Sequence, residues 1–78
     1  MLIITLYSTE NCHLCEQVLA LCQPYMQQDL ISVQSIDIAE HDDLLESYWI
    51  RIPVLKREDK GNELGWPFDE TMLEQFLV

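Results

Sequence analysis

Positive charge is scarce in this sequence: four Lys and Arg stand against fourteen Asp and Glu, a formal net charge of −10 over 78 residues. A polyanion gains nothing from such a chain, so DNA and RNA are excluded as partners, and an anionic membrane surface with them. Long apolar runs are lacking too. The longest, residues 1–6, has a Thr inside it, far short of the roughly 20 residues that span a bilayer. The N-terminus lacks Lys, Arg and a small-residue cleavage site, and does not read as a signal peptide. Cysteine comes as an odd three, against the even disulfide framework of a small secreted protein. The expectation is a cytoplasmic protein in a reducing compartment, its high charge favouring a monomer.

What is present is globular. Apolar residues make up 49%, too many for a disordered acidic tail, and the length fits one domain over residues 1–78. Leu2-Ile3-Ile4-Thr5-Leu6-Tyr7 is a near-continuous β-favouring run, as in a strand buried on both faces. Thr9 or Asn11 then offers a helix cap. Cys15, Val18, Leu19, Cys22, Tyr25 and Met26 recur at helical spacing, and Pro24 predicts a kink or a short second piece near Gln23. Ile31-Ser32-Val33-Gln34-Ser35-Ile36 alternates and is more polar, which suits an edge strand.

Asp37-x-x-Glu40 has the form of a capping box before a short helix whose core stripe is Leu44, Leu45, Tyr48 and Trp49. Pro53-Val54-Leu55-Lys56 and Glu63-Leu64-Gly65-Trp66 read as strands joined through Asp59-Lys60-Gly61-Asn62, where Gly61 or Asn62 can take positive φ. Asp69 or Thr71 opens a last helix with Met72, Leu73, Phe76 and Leu77 inward. The order is β-α-β-α-β-β-α: an α/β fold with a four-stranded mixed sheet and helices on both faces.

Cys12-His13-Leu14-Cys15 carries the chemistry, lying between an apolar strand and an amphipathic helix. Residues three apart on a helix hold their Cβ atoms roughly 5–6 Å apart, and a disulfide wants about 3.5–4.5 Å. A small adjustment in the first turn lets that bond form and break. Cys12, facing free N–H groups at the helix start, gains about 0.3–2 kcal/mol as a thiolate and is the expected nucleophile. Cys15, one turn in, is the resolving thiol. As a mere staple the bridge gives about 2 kcal/mol, and only when oxidised. Zinc needs four ligands, and the spare candidates are Cys22, His13 and His41 without a second close pair. No metal is expected.

Residues 8–16, Arg51-Ile52-Pro53-Val54-Leu55 and Gly65-Trp66-Pro67-Phe68-Asp69 resemble the small bacterial glutaredoxin-like proteins of the thioredoxin superfamily, essentially end to end. The resemblance implies the sheet order 4-3-1-2, with the third strand antiparallel to the first. It also implies a cis-proline at Pro53 across from the dithiol, with Ile52 pairing to an extended substrate. Base rates alone favour a trans bond, since only about 5–6% of X–Pro bonds are cis. Arg51, Trp66 and Asp69 complete the expected substrate side.

The implied activity is thiol–disulfide oxidoreduction on protein or small-molecule disulfides, with a thiol reductant or a reductase as donor. No cofactor is bound, and glutathione is a candidate reductant. Typical glutaredoxins have a Lys before the dithiol and a Gly-Gly-x-Asp-Asp stretch opening the last helix, where this chain has Glu10 and a single Gly65 and Asp69. Glu10 and Glu16, about 8 Å from the sulfur, oppose the thiolate by roughly 0.5–2 kcal/mol. The dithiol is therefore expected nearer thioredoxin, at about −270 mV, than the oxidants near −120 mV. A thioredoxin-fold binding module without turnover, or a metal-handling domain using both cysteines, are the alternatives. Cys22 reads as a buried core thiol, and Lys56, Arg57 and Lys60 as solvated hairpin residues.

Overall fold

Alternation along the first strand sets up both layers of the molecule. A computed structural model describes residues 2–10 and 12–78. Strand β1 (Leu2–Ser8) turns Ile4 and Leu6 to one side, where they pack with Val18, Cys22, Leu55, Phe68, Leu73 and Phe76. Tyr7 points the other way, into a smaller cluster with Ile38 and Val54. Helices α1 (His13–Gln27) and α3 (Glu70–Phe76) supply the first cluster, and α2 (Asp42–Tyr48) joins the second through Leu44 and Tyr48.

β2 (Ile31–Asp37) lies parallel to β1 in the register Leu2↔Ile31 to Ser8↔Asp37. β3 (Val54–Arg57) runs antiparallel to β1 with Tyr7 opposite Val54, and β4 (Glu63–Gly65) adds to it with Leu64 opposite Leu55. The order β2-β1-β3-β4 is the expected 4-3-1-2 read from the other edge. Gly61, at φ +77°, takes the left-handed position of the β3–β4 hairpin, its N–H donating to the Arg57 carbonyl at 2.8 Å. No helix among the described residues is long and apolar enough to cross a membrane.

Several local expectations are corrected. Pro24 does not split α1, which continues to Gln27. Its buried stripe of Cys15, Val18 and Cys22, with Tyr25 and Met26 beyond, holds the helix on the sheet against the roughly 3 kcal/mol of an interior proline. Cys12, not Thr9, is the N-cap of α1; Asn11 lies outside the described residues. Asp37 caps a 3₁₀ turn (Ile38–Glu40) by accepting from the Ala39 N–H at 2.9 Å, and α2 starts only after His41. A seven-residue helix has room for a narrow stripe, so Leu45 and Trp49 are exposed rather than core. Met72 likewise faces solvent.

Arg57 is the largest departure: it is buried, with only 6% of its surface exposed. The guanidinium forks onto Asp59 at 3.0 and 2.8 Å and donates to the main-chain oxygens of Phe76 (2.9 Å) and Val78 (2.8 Å). It thereby satisfies carbonyls that the end of α3 leaves unpaired and ties that helix to β3. Buried Thr5 is paired too, donating to the Glu58 carboxylate and accepting from Gln34 Nε2 at 2.8 Å.

Candidate active site

One end of the sheet gathers the residues of interest. β1 leads through Thr9 and Glu10 to Cys12, and the pairing of Tyr7 with Val54 puts Pro53 beside that same end. The Pro53 carbonyl accepts from the Trp66 N–H at 3.0 Å, and Asp69 follows three residues later at the start of α3. Three chain segments therefore lie at the end of the sheet from which the chain runs into α1.

Cys12 and Cys15 are joined by a disulfide, with their Cα atoms 5.2 Å apart. Cys12 Sγ accepts the Cys15 N–H at 3.1 Å, so the sulfur itself caps α1. An N–H of the first turn thus already points at the atom that carries negative charge when the bridge opens. Cys12 is partly exposed, whereas Cys15 is buried at 6% exposure. That asymmetry separates an accessible sulfur from a sheltered one. His13 Nδ1 lies 3.8 Å from the Glu16 carboxylate, both on the solvent side.

On the opposing segment the Ile52–Pro53 bond is cis, as the resemblance implied and base rates did not; Trp66–Pro67 is cis as well. Pro53 is fully buried. The Ile52 N–H donates to the Tyr48 carbonyl at 3.1 Å. Arg51 is held elsewhere: its guanidinium meets Glu63 at 3.0 Å and lies 5.1 Å above the Tyr48 ring. Asp69 accepts the Met72 N–H at 2.8 Å as the cap of α3. Trp66 packs edge-on against Phe68, which is itself in the core.

Sequence spacing gave no hint of the cluster behind this loop. Tyr48 stacks on Tyr7 with ring centroids 4.4 Å apart and donates its hydroxyl to Glu63. That hydrogen bond, followed by burial, pushes the Tyr48 hydroxyl up to about 12. Burial raises Glu63, but hydrogen bonds from Tyr48 and Arg51 outweigh it and hold the carboxyl below its ordinary value. The four residues come from three separate elements and the loop after α2, and they tie that loop to the sheet.

Cys22, the third cysteine, is fully buried on α1, and burial pushes its thiol up to about 11. With the bridge closed, native protein should therefore show no thiol to an alkylating reagent at pH 8, and one after unfolding. Rapid native labelling of Cys22 would contradict this. The sign for stability follows: a raised thiol contributes fully below its ordinary 9.0 and loses that contribution as pH climbs towards 11.

Among the described residues, no group of three or more His, Cys, Asp and Glu is placed to hold a metal ion. Four strands, three helices, a dithiol at a helix start and a cis-proline at the same end of the sheet define a thioredoxin fold. The same fold recurs in a thioredoxin variant of Halobacterium salinarum, 20% identical with a TM-score of 0.71, over 97% of this chain and 71% of that one. The sequence matches the Glutaredoxin-like domain (DUF836) over residues 3–78, and the chain belongs to that family. It is similar to a structural-genomics target protein of X. campestris solved by X-ray diffraction. Those two chains are 35% identical, with a TM-score of 0.79 over 95% of this chain and 93% of that one. A protein of Nitrosomonas europaea solved by NMR is 26% identical, with a TM-score of 0.84 over 99% and 92%. No curated protein matches.

Proposed function

We propose that the protein is a cytoplasmic dithiol–disulfide oxidoreductase acting on protein or small-molecule disulfides. The single observation that carries this reading is the Cys12–Cys15 bridge at the start of α1, with one accessible and one buried sulfur. The Cys12 thiolate attacks a substrate sulfur, forming a mixed disulfide and releasing the first thiol, which takes up a proton. The Cys15 thiolate then attacks Cys12 Sγ, closing the bridge and releasing the second thiol. The dithiol loses two electrons and two protons, and the substrate gains both. A thiol such as glutathione, or a reductase, reopens the bridge.

Ile52 and Trp66 form the wall against which the substrate lies, with the buried Pro53 shaping it from beneath and Arg51 and Asp69 at its margins. Because Glu63 and the α3 cap already engage Arg51 and Asp69, their contribution to substrate is through shape and position. Cys15→Ser separates this reading from a docking module: the variant should accumulate mixed disulfides through Cys12 when mixed with disulfide substrates or cell extract. Absence of any adduct sensitive to dithiothreitol would support a module without turnover.

A further inference from the structure

We infer that the site favours disulfides bearing positive charge beside the sulfur, such as a protein disulfide flanked by lysine or arginine, over anionic ones such as oxidised glutathione. This rests on the oxidoreductase reading above. The charge around the dithiol is one-sided. Glu10 is exposed two residues before Cys12, and Glu16 is exposed one turn after it, its N–H bonded to the Cys12 carbonyl at 3.3 Å. Asp69 and Glu70 open α3 on the solvent side of the Trp66 segment.

Among the described residues, little positive charge offsets them. Arg57 is buried on Asp59 and the end of α3; Arg51 is paired to Glu63; Lys56 stands opposite Glu63 across the strands. Lys60 sits in the hairpin at the other end of the sheet, where the Glu58 N–H meets Ile3. From Ser8 back to Ile3 is about 17 Å along β1, beyond the roughly 8 Å screening length of physiological salt. The base beside the dithiol, His13, faces Glu16 at 3.8 Å. A cationic substrate is thus drawn to Cys12 and an anionic one repelled.

The chemistry is the exchange already written, and only the approach differs. The test follows the reduced protein against cystamine (cationic), hydroxyethyl disulfide (neutral) and dithiodiglycolate (anionic), from about 0.01 to 1 M salt. Each probe's own salt dependence removes differences in intrinsic reactivity. The cystamine rate should fall at least about tenfold, the dithiodiglycolate rate should rise by a similar factor, and the neutral rate should stay within about twofold. Glu10→Lys with Glu16→Lys should reverse the two slopes. Equal slopes for all three probes, with the neutral one still turning over, overturn the charge selectivity and leave the oxidoreductase standing. Slopes unchanged by the double variant overturn the assignment to Glu10 and Glu16. Reaction with none of the three overturns both.

Discussion

Cys12→Ser is expected to lower disulfide reduction by at least about a thousandfold while the fold persists. A hydroxyl is no nucleophile at neutral pH, and the buried Cys15 cannot replace the accessible sulfur. The reduced fold should tolerate the change, because Cys12 is not in the core and its structural task is to cap α1 from Sγ. Serine is among the preferred N-caps, so its Oγ takes over the Cys15 N–H. Reduced wild type and variant should unfold at similar denaturant concentrations. Reduction of hydroxyethyl disulfide measures the rest. Retained turnover would move the nucleophile elsewhere.

Arg57→Ala is the largest expected loss of stability, with Tm lowered by on the order of 10 °C or more. The substitution leaves the Phe76 and Val78 main-chain oxygens without their donor and opens a void beneath the end of α3. Asp59, more exposed, loses its fork of two hydrogen bonds. Arg57→Lys should recover part of the loss, since one ammonium cannot reproduce a planar fork. Thermal unfolding of the three proteins is the check, and an unchanged Tm in Arg57→Ala would refute a structural role. Chains this short have little stability in reserve, so expression should suffer too.

Those two predictions come from opposite ends of what a sequence makes visible. The dithiol is local: spacing, the preceding strand and the following helix all lie within residues 2–27. The β1 run, the hairpin with Gly61 and the order of elements are local in the same sense, and they hold in the structure. Arg57 reads as solvated because its main-chain partners lie up to 21 residues away at the end of α3. Arg51 reads as a substrate-side residue for the same reason, its partner Glu63 being 12 residues on.

Periodicity over a seven-residue helix was too short to tell Leu44 and Tyr48, which pack, from Leu45 and Trp49, which do not. Pro24 shows the converse: a strong local breaker yields when a buried stripe on both sides of it holds the helix to the sheet. The Tyr7–Tyr48–Glu63–Arg51 cluster had no signature at all, because it exists only once α2, β1 and β4 are assembled.

Reversible opening of the Cys12–Cys15 bridge is the property on which the function depends. Equilibration of the purified protein across dithiothreitol redox buffers, read by acid quenching and thiol alkylation, tests it directly. One two-electron transition between bridged and open forms should appear, identical from either direction, with a midpoint nearer about −270 mV than −120 mV. A pair of sulfurs that stays closed, or stays open, across the whole range contradicts the account.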